Sequence, residues 1–271
     1  MDDGSDRKVL KRKAETQDVP LDVADETVHE SEDLDAGTGI AQCLLMLDIL
    51  SDEPQFRTFV GAPKQGKSFL MKHLLIAAAL KNIYDFGLVF SPTKFNKAYD
   101  WLPADAVHPR YNENVLASFI MLMRDLVENH DFDGRVFLVF DDCVGAVNWG
   151  SDLLSNLFTT FRHHKIDVYI STQYVYKVPT TVREVCDMTV MFRMTNKRSL
   201  VALYETCGQE FHGETDDGKA NYKAGYDAFR RALKACTDKK YGWMVHKKND
   251  LECPHHGGMA PAHQEDVLFK F

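Results

Sequence analysis

The chain has 271 residues, 45% of them hydrophobic, and a formal net charge of −8. This length and apolar content suit one α/β domain with some decoration, or at most two small domains. The longest unbroken apolar run, Leu74 to Leu80, is far too short to cross a bilayer, and six scattered cysteines form no CxxC pair, so neither a membrane span nor a disulfide framework is expected.

Charge is placed unevenly. Residues 1–39 carry 12 acidic and 5 basic side chains, few large apolar ones and no steady periodicity. That composition predicts a disordered acidic tail over 1–39, ahead of a folded domain over 40–271. An acidic, polar start also argues against a secretory signal. Within the tail, Lys8-Val9-Leu10-Lys11-Arg12-Lys13 is a basic cluster suited to a nuclear address or a nucleic-acid contact.

Ile40 to Leu50 is a short apolar segment expected to pack on the domain edge. Phe56 to Val60 is a β-prone run. It leads into Gly61-Ala62-Pro63-Lys64-Gln65-Gly66-Lys67-Ser68, a complete GxxxxGK[ST] phosphate loop. Its glycines allow a tight turn in which successive backbone N–H groups converge on phosphate oxygens. Lys67 supplies a point charge for the β- and γ-phosphates, and the Ser68 hydroxyl is a Mg²⁺ ligand. Phe69 to Leu80 follows, rich in helix formers and free of Gly and Pro, so that the helix presents its positive end to the anion. Strand, loop and helix together are the context in which the motif binds nucleotide.

Gly87 to Phe90 reads as a buried strand that stops at Ser91-Pro92. Lys94 to Pro109 reads as loop, carrying Tyr99 and Trp101. Leu116 to Val127 has helical spacing at Leu116, Phe119, Ile120, Met123 and Val127. The continuous apolar run Val136 to Phe140 predicts a central parallel strand buried on both faces. It ends in Asp141-Asp142. Leu153 to His163 is expected as helix, Val168 to Gln173 and Met188 to Phe192 as strands, Asn221 to Cys236 as an amphipathic helix and Tyr241 to His246 as a late strand. Alternating strands and helices imply a parallel sheet with helices on both faces.

Ligands of open α/β sheets bind beyond the carboxyl ends of the strands, so two carboxylates there point toward the phosphate loop. Asp141 is assigned to Mg²⁺, opposite Ser68, and Asp142 to orienting or deprotonating the attacking water. The alternative is that this Asp-Asp simply caps the next helix. Gln173, at the end of the following strand, is placed to sense the γ-phosphate or the lytic water, or else to cap a neighbour. Arg162, in Phe161-Arg162-His163-His164, is the candidate arginine that reaches a neighbouring subunit's γ-phosphate, with Arg183 and Arg193 as competitors and a surface ion pair as the plain alternative. Cys253-Pro254-His255-His256, with Cys236 and His263, matches no common zinc spacing and is better read as a solvated loop.

These features together resemble the poxvirus-type genome-packaging ATPases of large DNA viruses, in the FtsK–HerA branch of additional-strand P-loop ATPases. The resemblance spans roughly residues 55 to 195. It is carried by Gly61–Ser68, the apolar strand into Asp141-Asp142, Arg162-His163, Ser171-Thr172-Gln173 and the following Val178-Pro179-Thr180-Thr181-Val182-Arg183. It implies a mostly parallel, RecA/FtsK-like sheet flanked by helices and a homo-oligomeric ring that hydrolyses ATP with Mg²⁺. The ring would pump double-stranded DNA into a capsid, with viral capsid proteins as partners and no membrane, inside an infected cell. ATP would lie on Gly61 to Phe69, with Lys67, Asp142, Gln173 and Arg162 catalytic and Ser68 and Asp141 on the metal. Pro63-Lys64-Gln65 departs from the smaller residues that are usual in the family's loop, which stiffens it without removing a ligand.

Two rivals stand beside this reading. A nucleoside or nucleotide kinase also opens with a phosphate loop and needs an arginine-rich lid, for which Arg230-Arg231 is a candidate. A non-catalytic nucleotide-binding adaptor would have no need of Lys67, Ser68, Asp141 and Asp142 together. A GTPase is disfavoured, because Asn196-Lys197-Arg198-Ser199 lacks the Asp of the guanine-reading motif. Against DNA pumping stands the near-neutral charge of the body, since phosphate contacts dominate DNA affinity. No lysine-arginine stripe is visible in the sequence, and Lys94, Lys97, Lys177 and Arg198 are the candidate contacts.

Overall fold

The strands β1 (Phe56–Val60), β2 (Phe86–Phe90), β4 (Val136–Asp141), β5 (Ile166–Thr172) and β6 (Met188–Phe192) form the body of an eight-stranded sheet. A computed structural model describes residues 51–93, 98–211, 213–214, 220–248 and 255–259. The short β3 (Val107–His108) lies at one edge, and β9 (Gly242–Lys247) and β10 (His255–Met259) at the other, in the order β10-β9-β6-β1-β5-β4-β2-β3. From β3 to β6 every pairing is parallel, while β9 runs antiparallel to both β6 and β10. A separate two-stranded ribbon joins β7 (Gly213–Glu214) to β8 (Ala220–Asn221).

The apolar runs are strands because both of their faces are covered. Phe137, Val139 and Tyr169 pack on helix α1 (Lys67–Leu80) through Leu70, Met71, Leu74 and Leu75. Their alternates Leu138, Phe140, Val168 and Ile170 face α2 (Glu113–Asn129) and α3 (Asp152–Thr160) through Leu116, Phe119, Leu154 and Leu157. A third cluster joins Val60, Met191 and Met244 to α5 (Lys197–Cys207) and α6 (Tyr222–Cys236). The short α4 (Thr180–Glu184) leads into β6.

Differences from the sequence expectations are local. The helix expected over Leu153–His163 starts at Asp152, because Ser151 caps it by accepting from the Leu154 N–H, and ends at Thr160, ahead of a turn in which Lys165 has a positive φ of 58° and the Ile166 N–H donates to the Phe161 carbonyl. The fifth strand begins at Ile166 and ends at Thr172, which leaves Gln173 just past its tip. Within the stretch expected to be loop, Val107 and His108 pair with Val89 and Phe90. The helix α5 was not anticipated, although Asn196 is its N-cap, accepting from the Ser199 N–H. Cys143, Cys186 and Cys207 are buried free thiols. The acidic tail, its basic cluster, Ile40–Leu50, Lys94, Lys97, Cys253 and His263 lie outside the described residues.

At the amino ends of the central strands, a buried ionic network fixes their relative height. Asp167 of β5 accepts from Arg57 Nη1 of β1 at 2.7 Å and from Arg135 Nη2, just before β4, at 2.9 Å. Arg57 also donates to the Tyr169 hydroxyl at 3.1 Å, and Arg135 donates to the Glu53 carbonyl at 2.7 Å. Asp167 and Arg57 are fully buried. Removing the one carboxylate strands two guanidinium groups, so Asp167→Asn should destabilise the fold by about 3–5 kcal/mol in denaturant unfolding.

Candidate active site

Because β1, β2, β4, β5 and β6 are parallel, the residues that follow them all emerge at one end of the sheet. The phosphate loop leaves β1 there. Its Gly61 N–H donates to the Thr172 carbonyl of β5 at 3.3 Å and its Ala62 N–H to the Arg193 carbonyl past β6 at 3.0 Å. Gly61 is required by crowding, since a Cβ at this position would lie 2.6 Å from the Cβ of Phe192. Gly66 is required by conformation, with φ at 100° as the chain turns into α1. Asn112, Ser151, Asn196 and Asn221 cap α2, α3, α5 and α6 with their side chains, whereas α1 has no side-chain cap and no acidic residue in its first turn. With neither side-chain cap nor acidic residue there, its positive end faces the phosphate loop and suits an anion.

Lys67 starts that helix, and its buried ammonium donates to the Ala62 carbonyl across the loop at 3.0 Å. Burial lowers its pKa, while Asp142 and Asp141 favour the charged form. The Ser68 hydroxyl donates to Asp141 Oδ1 at 3.2 Å, so the two expected Mg²⁺ ligands meet. The other Asp141 oxygen accepts from the Tyr99 hydroxyl at 3.0 Å and the Ser91 hydroxyl at 3.3 Å. Ser171, the register partner of Asp141, has a fully buried hydroxyl close enough to favour the ionised carboxylate, yet it makes no hydrogen bond of ordinary geometry. Burial pushes the Asp141 carboxyl up, and the Ser171, Tyr99 and Ser68 hydroxyls pull against it. A carboxylate and a hydroxyl side by side, both hard oxygen donors, fit Mg²⁺, which keeps several waters and takes few protein ligands.

Asp142 has a positive φ of 49° and donates its N–H to the Ser171 carbonyl at 2.8 Å. The helix that follows begins ten residues later and is capped by Ser151, so Asp142 is not its cap. Gln173 Nε2 donates to Asp142 Oδ2 at 3.4 Å. The strand tips thus bring Lys67, Ser68, Asp141, Asp142 and Gln173 together.

They do not bring Arg162 there. Arg162 lies in the turn before β5, pairs with Asp187 just before β6 and sits over the Phe161 ring at 4.5 Å. Both partners are at the amino end of the sheet, about 15 Å of strand away from the phosphate loop. Arg183 is tied to the carbonyls of Val178 and Ala202 and to Thr206. Arg193 is exposed beside the loop. It opens a cleft of about 460 Å³ lined also by Thr195, Arg230, Arg231, Lys234 and Asp238. Tyr99 and Ser91, which steady Asp141, were missed as site residues: Tyr99 reaches it from a loop that folds over the strand ends, and Ser91 from the tip of β2 beside β4.

No protein-family model matches the chain. The genome packaging NTPase B204 of Sulfolobus turreted icosahedral virus 2, in complex with ATP-gammaS, superposes with a TM-score of 0.55 at 15% identity, over 77% of this chain and 98% of that one. The chain has a P-loop NTPase fold. The structure of B204 described as the DNA-packaging ATPase of Sulfolobus turreted icosahedral virus gives a TM-score of 0.52 at 15% identity, over 76% of this chain and 97% of that one. In sequence, uncharacterized protein 075L of Invertebrate iridescent virus 6 is 28% identical over 148 residues, which are 54% of this chain and 57% of that relative. The chain therefore matches little more than half the length of this curated relative. Among the described residues, no helix is long and apolar enough to cross a membrane.

Tyr99→Phe deletes one donor to a buried carboxylate. It should cost about 1–3 kcal/mol in thermal or denaturant unfolding, and raise the Mg²⁺ concentration needed for half-maximal nucleotide binding.

Proposed function

We propose that this chain is an ATP-hydrolysing motor that translocates double-stranded DNA during viral genome packaging. One observation carries the hydrolytic part: Ser68 and Asp141 meet at 3.2 Å while Gln173 holds Asp142 beside them, at the uncapped end of α1. Fold likeness to the B204 packaging NTPases supports the packaging part.

In this reading the triphosphate lies along the strand tips with its γ end toward β5 and β4, where Asp141, Asp142 and Gln173 converge. Its nucleoside end then points the other way, toward Arg193 and the cleft beside β6. Lys67 exchanges the Ala62 carbonyl for phosphate oxygens and neutralises charge that grows on the leaving and transferring groups. Ser68 and Asp141 would hold Mg²⁺, which would offset negative charge on the phosphates. Asp142 accepts a hydrogen bond from the attacking water, while Gln173 fixes the carboxylate and reports whether the γ-phosphate is present.

A homo-oligomeric ring completes the proposal, with an arginine from the adjacent copy stabilising transition-state charge. Arg162 is the candidate from sequence order, and its pair with Asp187 must open for that role. Viral capsid proteins are the proposed docking partners, and an infected cell is the proposed setting.

The kinase alternative fits less well. Arg230 and Arg231 line the cleft on the β6 side, away from the tip where an acceptor would meet the γ-phosphate. For a retired adaptor, the contacts around Asp141 and Asp142 would serve no purpose.

Purified protein should release phosphate from ATP without any acceptor, and Lys67→Ala should lower turnover at least ~100-fold while leaving the unfolding midpoint nearly unchanged. Duplex DNA should stimulate the wild type, with the gain fading as salt rises. Turnover that requires a small-molecule acceptor would move the assignment to the kinases. If Arg162 acts between copies, activity per chain should fall on dilution, and Arg162→Ala should abolish that dependence together with most turnover.

A further inference from the structure

Directly after Gln173 the chain makes a rigid surface step. The Tyr174 N–H donates to the Thr172 hydroxyl at 3.0 Å, and the Lys177 N–H to the Tyr174 carbonyl at 2.9 Å. Val175 is the buried anchor of this step, packed with Met191, Leu200 and Leu203. Tyr174 remains 43% exposed, and its ring meets that of Tyr176 edge-on at 6.0 Å. Two cations are laid on these rings: Lys177 Nζ lies 5.3 Å from the Tyr174 centroid and Arg198 Cζ 6.0 Å from that of Tyr176. Lys177, Lys197 and Arg198 are all exposed, and among the described residues none of the three is ion-paired. The first turn of α5 contains no acidic residue to offset them.

The same step is wired to the hydrolytic site. Gln173 reaches Asp142 with its side chain, and its carbonyl accepts from the Ser199 hydroxyl of α5 at 3.5 Å. Lys177 lies over the loop that follows Asp142: a Cβ at Gly145 would be 3.6 Å from Lys177 Nζ.

We propose that Tyr174, Tyr176, Lys177, Lys197 and Arg198 form the surface that grips the phosphate backbone of duplex DNA, and that Gln173 couples this grip to ATP hydrolysis. Unpaired cations held in fixed positions on aromatic rings are complementary to a row of phosphates, and tyrosine hydroxyls add donors to phosphate oxygens. Contacts to phosphate carry no sequence information, as befits a surface that must serve every sequence passing it. This inference rests on the motor reading for its coupling, but the grip itself does not.

The test uses the full chain, as wild type, as Lys177→Ala/Arg198→Ala, and as Arg124→Ala, a control on the exposed face of α2. Anisotropy of a labelled duplex of random sequence gives binding, and phosphate release gives turnover, each across a salt series. The double variant should keep basal turnover within about twofold and bind duplex at least ~10-fold more weakly. Its slope of log affinity against log salt should be shallower by about 2, because two phosphate contacts are lost. The control should match the wild type. Equal affinity and equal slope in the double variant would overturn the proposed surface. Duplex binding that depends on Lys177 and Arg198 in a protein without ATPase activity would keep the surface and overturn the motor. A wild type that neither binds duplex nor responds to it would overturn both.

Discussion

The height of β5 relative to β1 and β4 is the constraint on which this molecule depends. Every element of the site is a strand tip or leaves one: the phosphate loop from β1, Asp141 from β4 and Gln173 from β5. A slip of one residue in either pairing would turn Asp141 to the opposite face of the sheet, away from α1. Hydrophobic alternation alone is a weak guard here, because these strands are apolar on both faces. The Arg57–Asp167–Arg135 network supplies the missing specificity. It lets the carboxylate of β5 find its two guanidinium partners in one register only. A buried charge cluster contributes little net stability. Its use at this place is to set the height of the three strands whose opposite ends carry the candidate site.

Much of this architecture was legible in the sequence, for identifiable reasons. The apolar runs at Phe56, Val136 and Met188 were readable as buried strands, and Gly61–Ser68 with its flanks announced both the loop and the helix after it. Asp141, Asp142 and Gln173 were recognisable because parallel strands deliver their last residues to one end. What escaped was whatever depends on contacts distant in sequence. Tyr99 bonds Asp141 from a segment that looked like plain loop, and Ser91 does so from the stop of β2, where only the end of a strand was read. The boundary of α3 was misjudged because a serine cap lies ahead of the apolar run. Arg162 illustrates the opposite limit. A motif can fix a residue's position in the chain, but the strand direction decides which end of the sheet it occupies, and Asp187 holds it at the end opposite the loop.

The electrostatics of the site describe a state ready for ligand. A buried ammonium with only a carbonyl as its hydrogen-bond partner is poorly solvated, as the lowered pKa of Lys67 reflects. The buried Asp141 carboxylate has the hydroxyls of Ser68, Ser91, Tyr99 and Ser171 around it and still has its pKa raised. In the proposed function both groups would gain from a bound metal–triphosphate, which would bring negative charge to Lys67 and positive charge to Asp141. Part of the binding energy would then come from relieving unfavourable burial that folding has already imposed.

Near-neutral average charge in the body looked like an objection to a DNA partner, yet an average over a chain says little about a field at a surface. Folding sends Asp167 and Asp187 into ion pairs with arginines at the amino end of the sheet, and Asp141 under a canopy of hydroxyls. These three carboxylates are thus turned inward or paired. Lys177, Lys197 and Arg198, from two segments separated by a helix and a strand, are left at the surface beside the carboxyl end. In the proposed function Gln173 uses its side chain on the carboxylate that meets the attacking water and its carbonyl on the helix that carries Arg198, so any shift of that glutamine on loss of the γ-phosphate would be felt on both sides. A conformational signal between nucleotide and this surface needs no long relay; it needs only that one residue cannot satisfy both bonds in both states.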